Sequence, residues 1–439
     1  AMNQTTTAAR PTVAIIGAGF AGIYAAKVLR DAPVRVVLID QHNYHTFQPL
    51  LYQVATSLLE AEEISRAVRG VFRRQANLHF RQGTVTDVDL EGKRVLLSDG
   101  GEVHFDYVIV GTGTIYNDFG TPGVREHGLF LKSLSEAVNL RAHILNQFER
   151  VSVDPGLAEK GALNFVIVGG GATGVEMAGS MMELFERVLP KDFPELDIGK
   201  ARVILVEMAD NLLGPFAPRL RDYTEQVLSK RGVDVRTNTA VKEVRPDAVV
   251  LGDDEVIPTE TVLWAAGVRA HPLLERMGIE LTRGFRAKTE ANLSLPGHPF
   301  AFVAGDASGA VDDEGRQFPQ VAQVAIQQGR HAAREVLRAL QGQASKPFVY
   351  GDKGSMAIIA RNAGVAQLSP RFGNLKLTGF MGWLGWLFVH LVYLPGHRNR
   401  FGAIVNWASS YLTYERHARL IANMTPSPAE IANRTLEFV

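Results

Sequence analysis

No cysteine occurs among the 439 residues of this chain. That excludes disulfide frameworks, thiolate-held iron–sulfur clusters and CxxC redox centres. An excess of charge of either sign is missing as well. The 46 basic residues are matched by 46 acidic ones, which argues against a nucleic-acid binder working through a basic surface. Long hydrophobic runs are scarce, and a secretory signal pattern is not visible: Thr5 to Arg10 is polar, and Ala1 ahead of Met2 has the look of a cloning remnant. The body of the protein is therefore expected on the cytoplasmic side of any membrane. What the chain does have is bulk: at 46% hydrophobic and 21% charged it can bury a large core in two or three domains.

Two glycine-rich turns of one kind stand out, Gly17-Ala-Gly19-Phe20-Ala21-Gly22 and Gly169-Gly-Gly171-Ala172-Thr173-Gly174. Each follows an apolar β-branched run, Val13 to Ile16 and Phe165 to Val168, and opens a helix-like segment. Strand, tight turn and helix N-terminus together present backbone N–H groups to a pyrophosphate. A second strand after each turn ends in an acid, Val34–Ile39 before Asp40 and Arg202–Val206 before Glu207. An acid there accepts hydrogen bonds from a ribose. The longer gap before Glu207 is expected to hold a helix extension and a loop through Leu189 to Pro194. A carboxylate repels a 2′-phosphate, and Arg202 stands too early to clamp one, so NADH is expected over NADPH. A chain holding two dinucleotides can pass a hydride from one to the other.

Further turns belong to the first unit. Leu78 to Arg81 reads as a third strand leading to Gly83-Thr-Val85, where backbone meets an adenine; Tyr107 to Val110 leads into Gly111-Thr112-Gly113-Thr114. Far downstream, Phe302-Val-Ala-Gly305-Asp306 places an acid at a strand end, suited to a ribityl or pyrophosphate contact. The first unit is thus split around the second. In this arrangement the chain resembles the two-dinucleotide-binding-domain flavoproteins. The resemblance implies non-covalent FAD on the first turn and NADH on the inserted unit.

Glu176 follows the second glycine turn and is expected in the first turn of its helix. There it either favours the helix dipole or acts near nicotinamide or in proton handling. Gln323 and Gln327, four apart in a segment read as a helix starting near Pro319, share a face. Neutral amides hydrogen-bond quinone oxygens without burying charge, and the alanines between them let that face approach a flat ring. The segment Ala322-Gln323-Val-Ala-Ile-Gln327 resembles the Ala-Gln-x-Ala-x-Gln motif of type II NADH:quinone oxidoreductases, the single-subunit non-pumping NADH dehydrogenases. His42 to Thr56, Gly354 to Ala357 and Ala363 to Ala366 are also similar to that family, and the similarity runs from about Pro11 to Ile421. His42 and His45 lack further metal ligands nearby and read as structural; no metal is expected.

The resemblance implies FAD contacts at Gly17, Gly19, Phe20, Ala21, Gly22, Asp40, Gln41, Gln48, Val85, Thr112, Gly113, Asp306, Ala322, Gln323 and Lys376. For NADH it implies Gly169, Gly171, Ala172, Thr173, Gly174, Glu176, Glu207, Ala266 and Gly267. Glu176, Gln323 and Gln327 are the candidate catalytic residues. Lys376 is alternatively a headgroup-facing charge.

Leu375 to Leu394 is the most hydrophobic stretch and is near the lower length for a span, with basic residues at either end. A second segment runs from Phe401 to Ile421, with Arg416, His417 and Arg419 near its end. Two amphipathic helices lying in the membrane interface, with tryptophans at headgroup level, fit better than a buried helix pair or a span. The expected fold is α/β: two Rossmann-like domains, the second inserted in the first, plus C-terminal membrane-binding helices. Its parts are 11–118 and 300–371 for FAD, 119–299 for NADH with connectors, 372–424 for the anchor, and a polar tail at 425–439. Expected partners are NADH, a menaquinone or ubiquinone, the cytoplasmic membrane surface, and a second copy of the chain.

Overall fold

The computed structural model describes residues 10–413, 416 and 418–422. The chain divides into two compact units, one from residues up to 45, 66–115 and 268–351, the other from 46–65, 116–267 and 352 onward. In chain order, β1 (Thr12–Ile16), α1 (Phe20–Val28) and β2 (Arg35–Asp40) precede α2 (Leu51–Ala55), β3 (Leu78–Gln82) and β4 (Tyr107–Val110). Then come α3 (Leu134–Val153), β5 (Asn164–Val168), α4 (Ala172–Arg187), β6 (Arg202–Val206), β7 (Asp234–Arg236) and β8 (Thr261–Trp264). β9 (Ser294–Leu295), β10 (His298–Val303) and α5 (Ala322–Leu340) follow. The last elements are β11 (Gly354–Ala360), β12 (Ala363–Leu368), β13 (Lys376–Thr378), α6 (Gly379–Tyr393) and α7 (His397–Thr413).

The first unit is organised by a six-stranded sheet in the order β9-β10-β4-β1-β2-β3. All neighbours except β9 and β10 run parallel, in a register that sets Val13 beside Val36 and Tyr107. Successive residues feed opposite faces. Val13, Ile15, Val36, Leu38 and Phe302 pack with α1 and α5, whereas Ala14, Ile16, Val37, Ile39 and Val303 enter the second core. Burial on both faces is why these strands are continuous apolar runs rather than alternating ones. Leu273, Leu274 and Met277 also pack into this second core. Residues 268–299, expected with the NADH unit, therefore join the first unit.

The second unit repeats the plan with a parallel sheet in the order β7-β6-β5-β8, in which Phe165 pairs with Val203 and Thr261. Its core is Val166, Val168, Ile204, Val206, Val262 and Trp264. A capping box between Ser133 and Glu136 starts α3. α2 packs on α3 and α4, which takes 46–65 out of the FAD unit where the sequence had put them. The antiparallel sheet β11-β12-β13 also lies on α4. A Cβ at Gly179 of α4 would stand 1.6 Å from the Ile359 carbonyl oxygen, so α4 and β11 meet backbone to backbone. That contact explains why 352–371 belong to the second unit.

Candidate functional site

Both glycine turns have the same three-part geometry. Gly17 has φ +100°, and a Cβ there would lie 2.3 Å from the Gly111 carbonyl oxygen; Gly169 has φ +112°, and its Cβ would meet Ala265 at 2.6 Å. Gly22 and Gly174, one turn into α1 and α4, would collide with the carbonyl oxygens of Gly17 and Gly169 at 1.8 and 1.9 Å. The middle glycines differ: a Cβ at Gly19 or Gly171 would meet nothing within 4 Å. The outer glycines thus serve the turn and the helix–strand packing, and the middle one leaves open space above a helix N-terminus. That is a pyrophosphate cradle, and it occurs once in each unit.

The acids close the cradles in matching fashion. Asp40 Oδ2 accepts from the Ala18 N–H at 2.6 Å, and Oδ1 accepts from the His42 N–H at 2.7 Å. Glu207 Oε2 accepts from Gly170 N–H at 2.5 Å, and Oε1 from Ala209 N–H at 2.7 Å. The gap before β6 holds the length of α4 and a short helix Leu189–Asp192, as the sequence indicated.

Around the first cradle, the Gln41 carbonyl oxygen accepts from Gln82 Nε2, and Val85 opens a strand over Val85–Asp89. His45 is buried, bonds the Ala18 carbonyl oxygen through Nδ1 at 2.8 Å and meets Phe20 edge-on, so it braces the turn. Burial lowers its pKa to about 4 and keeps it neutral. Gly305 takes φ +77°, and its N–H donates to Gln328 Oε1 at 2.8 Å. Asp306 accepts weakly from Thr114 Oγ1 at 3.5 Å. The Thr112 hydroxyl, next to Gly113, is sealed from solvent with no partner among the described residues. An open cradle and an orphaned hydroxyl on one side of it fit FAD. Gln328 was missed in the sequence; a glutamine one residue beyond Gln327 carried no local signal of its bond to Gly305.

Gln48 and Lys376, expected as FAD contacts, lie in the second unit and are exposed, Gln48 reaching the Lys132 carbonyl oxygen at 3.5 Å and Lys376 standing on β13. The reading of α5 needs correction. α5 begins at Ala322, capped by Val321, so Pro319 precedes it rather than sitting in its first turn. The small residues of α5 serve helix packing: Ala325 rests against Gly305, and Gly329 leaves no room for a Cβ beside the Ala21 carbonyl, 2.1 Å away. Gln327 is clamped to Gly351, accepting from its N–H at 2.9 Å and donating to its carbonyl at 3.0 Å. Gln323 is half-buried one turn earlier.

Glu176 also differs. α4 starts at Ala172, capped by Gly171, which puts Glu176 beyond the first turn and into the packed part of the helix. Its Oε1 accepts from the Ile358 N–H at 3.3 Å and from Trp386 Nε1 at 3.2 Å. Burial pushes the carboxyl up to about 8, more than those two donors pull it down. Trp386 was missed as its partner, because 210 residues separate them. Ala266 and Gly267 follow β8, and Gly267 packs against the Phe119 ring.

At the C-terminus, residues 375–378 are not helical; α6 starts at Gly379. Trp383, Trp386 and Trp407 point inward, not to headgroup level, and Trp407 Nε1 donates to Gln53 Oε1 at 2.8 Å. The exposed face is instead Phe380, Leu384, Phe388 and Val392 on α6, with Phe401, Ile404, Val405 and Leu412 on α7. Arg416 is buried, donating to the Thr56 carbonyl at 2.6 Å and facing Glu183 at 3.4 Å, while Arg419 pairs with Asp192 at 2.7 Å. Neither is a free basic flank, since their guanidinium forks are claimed by carbonyls and carboxylates of the same unit. His417 and the expected tail 425–439 lie outside the described residues. No helix among the described residues is long and apolar enough to cross a membrane.

Residues 11–329 match the family model described as pyridine nucleotide-disulphide oxidoreductase. The chain is 36% identical to the type II NADH:quinone oxidoreductase NdhA of Mycobacterium tuberculosis, over 96% of this chain and 93% of that protein. It is 37% identical to a second such protein of the same organism, Ndh, over 93% of this chain and 89% of the other. Among solved structures, NDH2 from Plasmodium falciparum in complex with NADH superposes with a TM-score of 0.84. That match covers 94% of this chain and all of the other at 20% identity, a likeness of fold. The chain belongs to the pyridine nucleotide-disulphide oxidoreductase family and, within it, to the type II NADH:quinone oxidoreductases.

Proposed function

We propose that this chain is a membrane-associated respiratory NADH dehydrogenase that reduces a quinone with FAD as its resident cofactor and moves no proton across the membrane. The observation that carries this reading is the pair of glycine cradles, each closed by a carboxylate, in a chain without cysteine. Bound FAD supplies what no side chain here can, acceptance of a hydride and return of two electrons. The chain's own residues bind, orient and handle protons.

Gly169 to Gly174 and Glu207 hold NADH in the second unit, the carboxylate selecting a free ribose over a 2′-phosphate. Gly17 to Gly22, Asp40, Thr112 and Asp306 hold FAD in the first. Gln323 offers a neutral amide to a quinone oxygen, and Gln327 keeps that stretch of α5 fixed by its clamp on Gly351. The overall change, NADH + H⁺ + quinone → NAD⁺ + quinol, takes one proton from the medium. Glu176, protonated at neutral pH, is the group we assign to hold it.

The apolar face of α6 and α7 rests on the cytoplasmic membrane surface, where a long-tailed quinone is dissolved. Phe388 is 67% exposed and Leu412 83%, and side chains of this kind gain by entering the interface. Pairing with a second copy is a separate proposal, read by sedimentation in detergent. Purified protein should release FAD on acid denaturation at one per chain. In liposomes it should oxidise NADH with quinone while the lumen stays at constant pH. Absence of FAD, or lumenal acidification by the enzyme itself, contradicts the reading.

A further inference from the structure

α6 carries two different faces. One is exposed and apolar; the other bears Trp386, which has no exposed surface at all. A buried indole N–H needs an acceptor, and this one takes Glu176 Oε1 at 3.2 Å. The Ile358 N–H reaches the same oxygen at 3.3 Å, so both of the carboxyl's donors fall on Oε1. Two donors on one oxygen leave the other as the place for a proton.

The indole is held from several sides. It stacks on His390, 3.7 Å between centroids and 17° between planes, and meets Tyr52 edge-on at 6.2 Å. His390 Nδ1 in turn bonds the Trp386 carbonyl at 2.7 Å. The helix beneath is seated at backbone contact: a Cβ at Gly382 would lie 2.4 Å from the Gly364 carbonyl oxygen of β12. A shift of α6 therefore moves the indole away from the carboxyl.

We propose that Trp386 is a positioning residue through which α6, the helix with the apolar face, holds Glu176 with Oε1 occupied and its proton on Oε2. This rests on the reading that Glu176 holds the reaction's proton. Of the elements packed around that carboxyl, β11 offers no titratable side chain, α2 offers Tyr52 and α6 offers His390. Burial raises Tyr52 and lowers His390 to about 4, so both stay neutral through the working range. The Trp386 N–H is then a polar contact that favours the ionised form of Glu176 over the protonated one, alongside Ile358.

The test reads the carboxyl directly. In the flavin-loaded protein, a protonated-carboxyl infrared band should titrate near pH 8 and vanish in Glu176→Gln. Trp386→Phe should keep the ring packing, move the band to higher frequency and raise its midpoint by about one pH unit. In anaerobic half-reactions, flavin reduction by NADH should stay within twofold, and reoxidation by a short-chain quinone should slow roughly tenfold. If Trp386→Phe does not retain flavin, benzothienylalanine at the same position removes only the N–H. An unmoved band and unchanged reoxidation overturn the positioning role while leaving Glu176 as the proton holder. A wild-type band that Glu176→Gln does not remove overturns the reading beneath it.

Discussion

The Gly170 N–H donates to Glu207 Oε2 at 2.5 Å, tying the carboxylate at the end of β6 to the glycine loop that precedes α4. The acid is therefore oriented by the protein's own backbone, as the proposed ribose contact requires. Glu207→Gln keeps the shape but removes the charge. It should raise the KM for NADH roughly tenfold, the worth of a charge-assisted hydrogen bond, and narrow the preference over NADPH. Steady-state kinetics with both nucleotides checks this; an unchanged preference contradicts the role.

The glycines within one cradle should behave differently from each other. At Gly171 a methyl group meets no protein atom, so Gly171→Ala should fold with a Tm within a degree or two of wild type. It should still weaken NADH, because the methyl occupies pyrophosphate space. At Gly174 the methyl collides with a carbonyl oxygen at 1.9 Å, and Gly174→Ala should cost about 2 kcal/mol or more of stability. Calorimetry beside NADH titration separates the two outcomes.

Stability should depend on pH in one sense at a buried carboxyl and in the opposite sense at two buried histidines. Glu176 has its carboxyl raised to about 8 in the fold, so the folded state keeps a proton that the unfolded chain releases near the ordinary carboxylate value. Its contribution is fully present below that ordinary value and is lost as pH climbs through 8. His45 and His390 are lowered to about 4, so theirs is present above the usual histidine value and lost as pH falls toward 4. Glu176→Gln should remove the loss of Tm that accumulates as pH rises from the ordinary carboxylate value to 8, leaving the opposite trend of the histidines on the acid side unopposed and so steeper. Thermal melts from pH 5 to 9 test the sign.

Membrane attachment should reside on the outward face of α6. Leu384 is 44% and Phe388 67% exposed, so serine at both positions removes apolar surface without touching the core. Flotation with liposomes should drop at least tenfold, since each buried large apolar side chain contributes about 1.5–3 kcal/mol. The Tm should not change. Flotation equal to wild type contradicts the placement of the attachment surface.

Much of the fold could be read from local patterns. The runs Val13–Ile16 and Phe165–Val168, each meeting glycines and a later acid, carry their meaning within about 40 residues, and the structure keeps each of them. What escaped was long-range. Trp386 and Glu176 lie 210 residues apart, and no spacing rule connects them. Amphipathicity located the C-terminal helices but not their rotation, so the tryptophans were assigned to the wrong face. The burial of Arg416 had no local signal either, because the carbonyls it meets, Thr56 and Ser180, come from distant segments. The domain limits shifted for the same reason: contacts such as Gly179 against Ile359 are invisible to composition.

The most direct test of the account is anaerobic stopped-flow of the flavin-loaded protein in two mixes, first with NADH and then with a short-chain menaquinone or ubiquinone. The oxidised flavin absorption band, a property of the cofactor, should bleach with NADH and return fully with the quinone. Bleaching with no return, or no bleaching at all, would contradict an electron path from NADH to quinone in this chain.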